Sequence, residues 1–223
     1  MTLGLPRLHL RSTGSTMDRA RALAAAGAPH GTLVSAGEQT AGHGRYGRAW
    51  VTPPDRALAL SFVLRSFDAL LPLRAGLAVA DLASPAARIK WPNDVLLEDG
   101  KLAGVLVEAR PAERWAVLGI GVNVAARLTE LPPGSATLGR APDSLEATLA
   151  ELLRALEHRL EESAEATIAA LSERDALFGH QVSWAGGSGT GAGIALDGSL
   201  LVRLADGSET SVSAGEVVRR DRT

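Results

Sequence analysis

The chain has 223 residues, of which 46% are hydrophobic and 22% are charged, and its net charge is −2. These proportions are typical of a globular protein with a sizeable core and argue against a disordered chain. The small net charge, without a basic stripe, argues against nucleic-acid binding, so we expect a small-molecule or protein partner. The absence of cysteine excludes disulfides, thiolate metal sites and cysteine nucleophiles.

Neither a membrane span nor a signal peptide is expected. The sequence has no run of eighteen apolar residues, and its start lacks a basic segment followed by an apolar one. We therefore expect a cytoplasmic protein that has no membrane partner.

The segment 1–176 predicts a mixture of helices and strands, which is an α+β fold. Ser15 or Thr16 is placed to cap the first helix, Asp99-Gly100 marks a hairpin turn, and Asp143 with Glu146 is spaced as a capping box. In chain order we predict a strand at 8–11, a helix at 17–26, strands at 32–36 and 58–64, a helix at 72–87, strands at 88–91, 95–97, 102–109 and 115–124, and helices at 143–162 and 164–176.

The segment 177–223 has a different texture and predicts a second, smaller domain. Short strand-like runs are broken by glycines, and Asp-Gly turns occur at 197–198 and 206–207. This pattern favours a small β-barrel. The glycine-rich run 186–193 has a second interpretation as a phosphate cradle, but no lysine or helix follows it.

The polar loop 38–54 between two predicted strands is long enough to suggest a function. Its stretch Gly42-His-Gly-Arg-Tyr-Gly-Arg48 fits G-x-G-x-x-G, but Pro53-Pro54 prevents the helix that a dinucleotide fingerprint must open. The glycines let the backbone approach a ligand, and Arg45 and Arg48 can donate to phosphate oxygens. A solvated surface turn is the simpler alternative.

Three further motifs carry polar or glycine residues at strand ends. Lys90-Trp-Pro-Asn-Asp94 joins a strand to a sharp turn, and Gly119-Ile-Gly-Val-Asn123 ends an apolar strand. In Lys101-Leu-Ala-Gly104, strand alternation predicts that Lys101 and Ala103 share one face while Leu102 and Gly104 share the other. Packing and solvent exposure alone remain open as explanations for all three.

A carboxylate that attacks an α-phosphate needs fixed cations, because two unit charges 4 Å apart repel by about 4 kcal/mol at an effective dielectric near 20. Arg45, Arg48, Lys90 and Lys101 are the available set, and Asp94 could help to hold Mg²⁺ on ATP. A P-loop, H-E-x-x-H and G-x-S-x-G are all absent from the sequence, and the histidines lack metal-ligand spacing.

Taken in order, these motifs closely resemble those of bacterial biotin protein ligases. The matching stretches are Ser15-Thr16, Glu38 to Trp50, Lys90 to Asp94, Lys101 to Leu106, Gly119 to Asn123 and Ser213-Ala-Gly-Glu-Val217. The resemblance implies a catalytic domain at 1–176 related to class II aminoacyl-tRNA synthetases, with a mixed sheet and flanking helices. It also implies an SH3-like barrel at 177–223, and transfer of biotin, through biotinyl-5′-adenylate, to a lysine of a biotin carboxyl carrier domain.

The resemblance also implies roles for individual residues. Lys101, Arg48 and Arg45 would be catalytic. The residues implied for biotin binding are Ser15, Thr16, Met17, Gln39, Gly42, His43, Gly44, Arg45, Trp50, Lys101, Gly104 and Gly121. Those implied for ATP binding are Arg45, Arg48, Lys90, Asn93, Lys101 and Asn123, with Asp94 for Mg²⁺ held through ATP.

The sequence departs from the family pattern in three places. Met17 replaces a common asparagine, and His43 and Tyr46 replace the usual arginines, so we expect packing at Met17 and fewer phosphate contacts. The first motif begins at residue 12, without a preceding helix-turn-helix, so we expect a ligase without repressor function. A homodimer through the catalytic sheet stays open.

Three alternative functions are compared with the same residues. An octanoyl transferase of this superfamily uses a cysteine nucleophile, which this chain lacks. A lipoate-adenylating enzyme survives that argument, as does a non-catalytic module that binds the ligand for regulation.

Overall fold

The computed structural model of the chain describes residues 2–83 and 85–220. The outer ends of the predicted domains 1–176 and 177–223, at residue 1 and residues 221–223, lie outside the described residues, as does residue 84 of the predicted helix 72–87. The described strands are β1 (Arg7–Thr13), β2 (Leu33–Gln39), β3 (Ala57–Leu64), β4 (Arg88–Lys90), β5 (Asp94–Leu97), β6 (Gly100–Arg110), β7 (Trp115–Asn123), β8 (Gln181–Trp184), β9 (Gly187–Ile194), β10 (Leu200–Arg203), β11 (Glu209–Val212) and β12 (Val218–Arg219). The described α-helices are α1 (Thr16–Ala25), α2 (Leu71–Ala83), α3 (Leu145–Glu161) and α4 (Ala164–Ser172).

The first seven strands form one mixed sheet in the order β1-β2-β3-β7-β6-β5-β4. Strands β1 and β2 pair in parallel, and the other neighbours pair antiparallel. Helix α1 packs on β2, β3 and β7, whereas α2 packs on β4 to β7 with α3 behind it. The α+β fold with a mixed sheet and flanking helices is therefore confirmed.

Alternation along β3 divides its side chains between two cores. Leu60 and Phe62 belong to the main core with α2, and Val63 belongs to a smaller cluster with Met17 of α1. Ser61 points to the α1 side, where its hydroxyl contacts Thr16. The α1 face of the sheet is thus the face on which polar groups from several strands can meet.

The N-terminal ends of α1 and α3 form in different ways. Ser15 caps α1, with its hydroxyl accepting a hydrogen bond from the Met17 amide at 3.2 Å, as the sequence predicts. The capping box predicted at Asp143 and Glu146 is wrong. A 3-10 turn precedes α3, and Glu146 instead accepts two hydrogen bonds of 2.7 Å from Arg7.

The helix predicted at 164–176 ends at Ser172, because the residues that follow pair with the sheet edge. The Ile89 amide donates to the Arg174 carbonyl at 2.7 Å, and the Ala176 amide donates to the Ile89 carbonyl at 2.9 Å. These bonds place the residues after α4 against β4 and lead the chain into the C-terminal strands.

The C-terminal strands form a five-stranded antiparallel sheet in the order β11-β10-β9-β8-β12. The turns predicted at both Asp-Gly pairs are present, with Gly198 and Gly207 at φ values of 85° and 86°. The run 186–193 lies in the β8–β9 hairpin and in β9, so it is a strand element and not a phosphate cradle. A hydrogen bond of 2.9 Å from Trp91 Nε1 to the Gly198 carbonyl joins this sheet to the first.

Candidate active site

A cavity of about 170 Å³ opens between α1, the glycine loop (residues 42–50) and the α1 face of the sheet. Most of the residues singled out from the sequence meet there. Those that line the cavity are Thr16, Met17, Gln39, His43, Gly44, Arg45, Arg48, Trp50, Asn93, Lys101, Gly104 and Gly121. Ser15, Gly42, Lys90, Asp94 and Asn123 do not line it, and neighbours that were not assigned to the site, such as Gly119 and Leu106, do.

A β-bulge places Lys101 in the cavity. Val95 pairs with Ala103, but Leu96 pairs with Lys101, so Leu102 is the extra residue of β6. Leu102 and Ala103 are both fully buried in the main core, and Lys101 lies on the same face as Gly104. The predicted alternation, which separated Lys101 from Gly104, is therefore wrong.

Lys101 is held between a carboxylate and an aromatic ring. Its Nζ lies 2.8 Å from Asp94 Oδ1 and 5.8 Å from the centroid of the Trp50 ring. The side chain of Lys101 is 40% exposed, so the ammonium is also accessible from the cavity. Lys101 can therefore meet an anion in the cavity by exchanging one negative partner for another.

Glycines on β6 and β7 make a flat floor beneath two large side chains. A Cβ on Gly121 would lie 2.5 Å from Trp50 Cε2, and a Cβ on Gly119 would lie 2.5 Å from Met17 Sδ. Larger residues at either position would push these side chains away. Met17 is 4% exposed and packs in the α1 cluster, as expected for a residue that contributes packing.

The polar end of the cavity is built around Gln39. Its Oε1 accepts hydrogen bonds from the Thr16 amide at 2.8 Å and from the Thr16 hydroxyl at 3.0 Å. A backbone amide can only donate, so the atom that faces it must be the oxygen of Gln39, and Nε2 carries the two remaining donors. Ser15 is 2% exposed and acts here as the helix cap.

The glycine loop folds back on itself beside the cavity. The Trp50 amide donates to the Gly42 carbonyl at 2.9 Å, and the Gly44 amide donates to the Arg48 carbonyl at 2.8 Å. Between them lies a 3-10 turn in which Tyr46 has a φ of 57°. The loop is therefore a short hairpin, and its residues His43, Arg45, Arg48 and Trp50 line the cavity.

Both arginines of this loop contact a segment from the far end of the chain. Arg45 donates to the Gly215 carbonyl at 3.0 Å, and Arg48 pairs with Glu216 at 2.8 Å. Both partners of the Arg48–Glu216 pair are about half exposed, so the pair contributes only about 0 to 1 kcal/mol and a phosphate could displace it at little cost. The motif at 213–217 predicts only a part of the barrel, and nothing in the sequence indicates this contact with the site.

The two asparagines of the site hold backbone together. Asn93 Nδ2 donates to the Val105 carbonyl at 3.0 Å, and its Oδ1 accepts from Arg45 at 3.4 Å. Asn123 is 3% exposed and donates to the Ala136 carbonyl at 2.9 Å, while its Oδ1 is buried without a partner among the described residues. Its contact with adenine therefore stays a prediction.

The described residues do not form a protein cage for a metal ion. Across the described ranges, no group of three or more His, Asp or Glu side chains is arranged to hold one. Asp94 is paired with Lys101 and stands outside the cavity lining. Magnesium fits this site only as part of a MgATP substrate, and the assignment of Asp94 to it stays a prediction.

Comparison with known proteins places this geometry in a family. The family model described as "Biotin/lipoate A/B protein ligase family" matches residues 10–124, which carry α1, the glycine loop and Lys101. The chain belongs to the biotin/lipoate A/B protein ligase family. The resemblance found in the motifs is therefore confirmed.

Individual relatives of this family member agree with the assignment. It is 39% identical over 165 residues to a biotin--[acetyl-CoA-carboxylase] ligase of Mycobacterium tuberculosis. This match covers 66% of this chain and 61% of that protein. It is 38% identical over 130 residues to the bifunctional ligase/repressor BirA of Bacillus subtilis. This second match covers 53% of this chain and 40% of that protein. The matches thus span less than two thirds of the length of these relatives.

Solved structures match over nearly the whole chain. The biotin protein ligase from Aquifex aeolicus in complex with biotin and ATP has a TM-score of 0.80 and 26% identity, covering 97% of this chain and 99% of that one. The ligase from Leishmania major in complex with biotinyl-5-AMP has a TM-score of 0.60 and 25% identity, covering 93% and 98%. Within the described part of this family member, no helix is both long and apolar enough to cross a membrane.

Proposed function

We propose that this protein is an ATP-dependent biotin protein ligase, which forms biotinyl-5′-adenylate and transfers biotin to a lysine of a biotin carboxyl carrier domain. The observation that carries the proposal is the position of Lys101. The bulge at Leu102 brings its ammonium to the glycine floor, in the same cavity as Arg45 and Arg48. A cavity lined by a polar amide, two arginines and a lysine suits a ligand with a neutral polar head and an anionic tail.

The first half-reaction joins two anions. An oxygen of the biotin carboxylate attacks the α-phosphorus of MgATP, a C–O–P bond forms, and the bond to pyrophosphate breaks with its electron pair leaving on pyrophosphate. Lys101 would pair with the carboxylate and then with the adenylate phosphate, and Arg45 and Arg48 would meet the phosphates. Fixed cations offset a repulsion of about 4 kcal/mol between charges 4 Å apart.

The second half-reaction transfers the acyl group. The neutral amine of a carrier lysine attacks the acyl carbon of the adenylate, an amide bond forms, AMP leaves and one proton is released. Trp50 over Gly121 would cover the bound adenylate and limit its loss to water. The names of two relatives, which are ligases for acetyl-CoA-carboxylase, support a carboxylase carrier as the partner.

The remaining partner assignments follow from charge and topology. The net charge of −2 supports a ligase that has no nucleic-acid partner and no repressor function. Strand β1 lies at an outer edge of the seven-stranded sheet, the position from which a sheet can extend into a second copy of the chain. A homodimer is therefore part of the proposal, as is the cytoplasmic location that the sequence led us to expect.

Lipoate is the alternative substrate, because the matching family includes lipoate ligases. The directed amide of Gln39 favours biotin, since lipoate has no ureido oxygen to accept its hydrogen bonds. ATP–pyrophosphate exchange with each acid separates the two. Exchange with biotin alone supports the proposal, exchange with lipoate alone replaces it, and exchange with neither favours a non-catalytic binding module.

A further inference from the structure

A buried hydrogen-bond relay runs from the sheet interior to the polar end of the cavity. The Ser61 hydroxyl donates to Thr16 Oγ1 at 2.9 Å, and the Thr16 hydroxyl donates to Gln39 Oε1 at 3.0 Å. Ser61 is 0% exposed and Thr16 is 2% exposed. Ser61 does not line the cavity, but it pairs in register with Gly119, which does.

The relay has one direction, because each hydroxyl has a single proton to donate. The relay ends on Gln39 Oε1, which also accepts from the Thr16 backbone amide. That amide cannot reverse its role, so Oε1 is fixed in place and receives two donors. Gln39 must then present Nε2, with its two hydrogens, away from Thr16.

The direction also limits what Thr16 can do toward a ligand. Its proton is committed to Gln39 and one of its lone pairs accepts from Ser61, so its hydroxyl can only accept from a ligand. The polar end therefore offers amide donors from Gln39 to a carbonyl oxygen and one acceptor from Thr16 to an N–H. A cyclic urea carries the complementary groups, because its carbonyl oxygen accepts and the N–H groups on either side of it donate.

We infer that Ser61 is a positioning residue for substrate recognition, which fixes Thr16 and, through it, the orientation of the Gln39 amide toward the ureido group. This role rests on the proposed function. Without the Ser61 proton, the Thr16 hydroxyl still has its own proton for Gln39 Oε1 but loses the donor that helps to fix its rotation. The Gln39 amide is then held firmly only by the Thr16 backbone amide, so its orientation is less well defined. Ser61 thereby acts on the ligand without touching it.

The discriminating probe is a biotin analogue in which an imino group replaces the ureido oxygen, so that an N–H faces Gln39. We would titrate the full chain calorimetrically with biotin and with this analogue. The variant Ser61→Ala is expected to bind biotin about fivefold more weakly, with a smaller preference for biotin over the analogue and unchanged affinity for ATP. Ser61→Cys, with its weaker donor, is expected to fall between the two.

A double-mutant cycle separates positioning from a general effect on packing. Because Ser61 acts on the preference between the two ligands through Gln39, adding Ser61→Ala to Gln39→Ala should change the preference for biotin over the analogue by less than about twofold. Ser35→Ala is the matched control, since Ser35 is also buried but bonds to Arg7 and His9 on β1. Its preference between the two ligands should equal that of the unmodified chain.

The relay is wrong if Ser61→Ala keeps the full preference for biotin, or if its penalty is the same with and without Gln39. If Ser61→Ala does not fold, Thr16→Val decides, because it removes the hydroxyl and keeps the backbone amide on Gln39. Thr16→Val should lower the preference in the same way, and an unchanged preference overturns the relay. If the unmodified chain itself binds no biotin, the proposed function fails as well, which distinguishes that result from failure of the relay alone.

Discussion

Lys101 Nζ and Asp94 Oδ1 lie 2.8 Å apart across β5 and β6, directly beside the bulge at Leu102. The pair fixes the ammonium at the cavity before a ligand arrives. Replacing Lys101 by glutamine should slow ATP–pyrophosphate exchange with biotin about 100-fold or more, because a fixed cation is lost where negative charge gathers.

The same change leaves Asp94, whose side chain is 20% exposed, without its cation. The double variant Lys101→Gln/Asp94→Asn should therefore regain thermal stability and stay inactive. Arg203→Gln, which removes a cation paired with Glu209 on the C-terminal sheet, controls for the loss of one charge. Exchange at the normal rate in Lys101→Gln would remove this residue from the mechanism.

The glycine floor gives a prediction about shape. Gly121→Ala would place a methyl group 2.5 Å from the Trp50 ring, so the indole must move off the floor. We expect biotin affinity to fall about tenfold or more, because overpacking of this kind costs roughly 1 to 3 kcal/mol. The measurement is a biotin titration.

Gly14→Ala is the matched control for Gly121→Ala. A Cβ at Gly14 has nothing within 4 Å, so the same added methyl group should leave biotin affinity unchanged. Equal behaviour of the two variants would show that the floor does not need glycine at position 121.

The glycine loop is expected to become protected when the substrates bind. Arg48 is held by an exposed ion pair to Glu216, which contributes little, so the loop should be cut by trypsin at Arg45 and Arg48 in the free chain. Biotin with MgATP should slow these cuts several-fold. Arg127, whose side chain is 73% exposed and lies away from the cavity lining, is the internal control for trypsin activity. If the substrates do not change the cleavage rate at Arg45, Arg48 or Arg127, closure of the glycine loop over the ligand is contradicted.

How far the sequence predicts this site depends on the range of each interaction. The Ser15 cap could be predicted because it depends on residues close by in the chain. The assignment of Lys101 and the glycines to a ligand site came instead from the resemblance of the motifs. The sheet face on which Lys101 lies could not be predicted, because the bulge is set by the register with β5 across the sheet. Glu216 was missed for a related reason, since its partner Arg48 is 168 residues away.

The fold shows the same division. Periodicity predicted the main strands and helices with small errors at their ends. The end of α4 could not be predicted, because backbone pairing with Ile89 competes with the helix after Ser172. The capping box failed because Arg7, 139 residues from Glu146, takes the carboxylate.

Asp175 gives a prediction about pH. Burial raises the pKa of its carboxyl above the ordinary value near 3.8, so the folded chain binds this proton more tightly than the unfolded chain. The contribution of Asp175 to stability is therefore present below that value and is lost as pH rises through the raised pKa. Asp175→Asn keeps an acceptor for the Leu177 amide and removes the buried charge.

Thermal unfolding of Asp175→Asn should occur at a higher temperature than in the unmodified chain at pH 7, and the gap should close in acid. Asp143→Asn, at an exposed position, controls for the change in net charge. A gap that stays constant or widens as pH falls would show that burial of the Asp175 charge does not govern the difference.

The most direct test of the whole account is transfer to a carrier. The purified chain would be incubated with biotin, MgATP and a biotin carboxyl carrier domain, with lipoate in a parallel reaction, and the carrier would be weighed by mass spectrometry. We predict a mass increase of one biotinyl group on a single carrier lysine, dependent on ATP and absent with Lys101→Gln. A carrier of unchanged mass with biotin, or one modified by lipoate instead, would contradict the assignment.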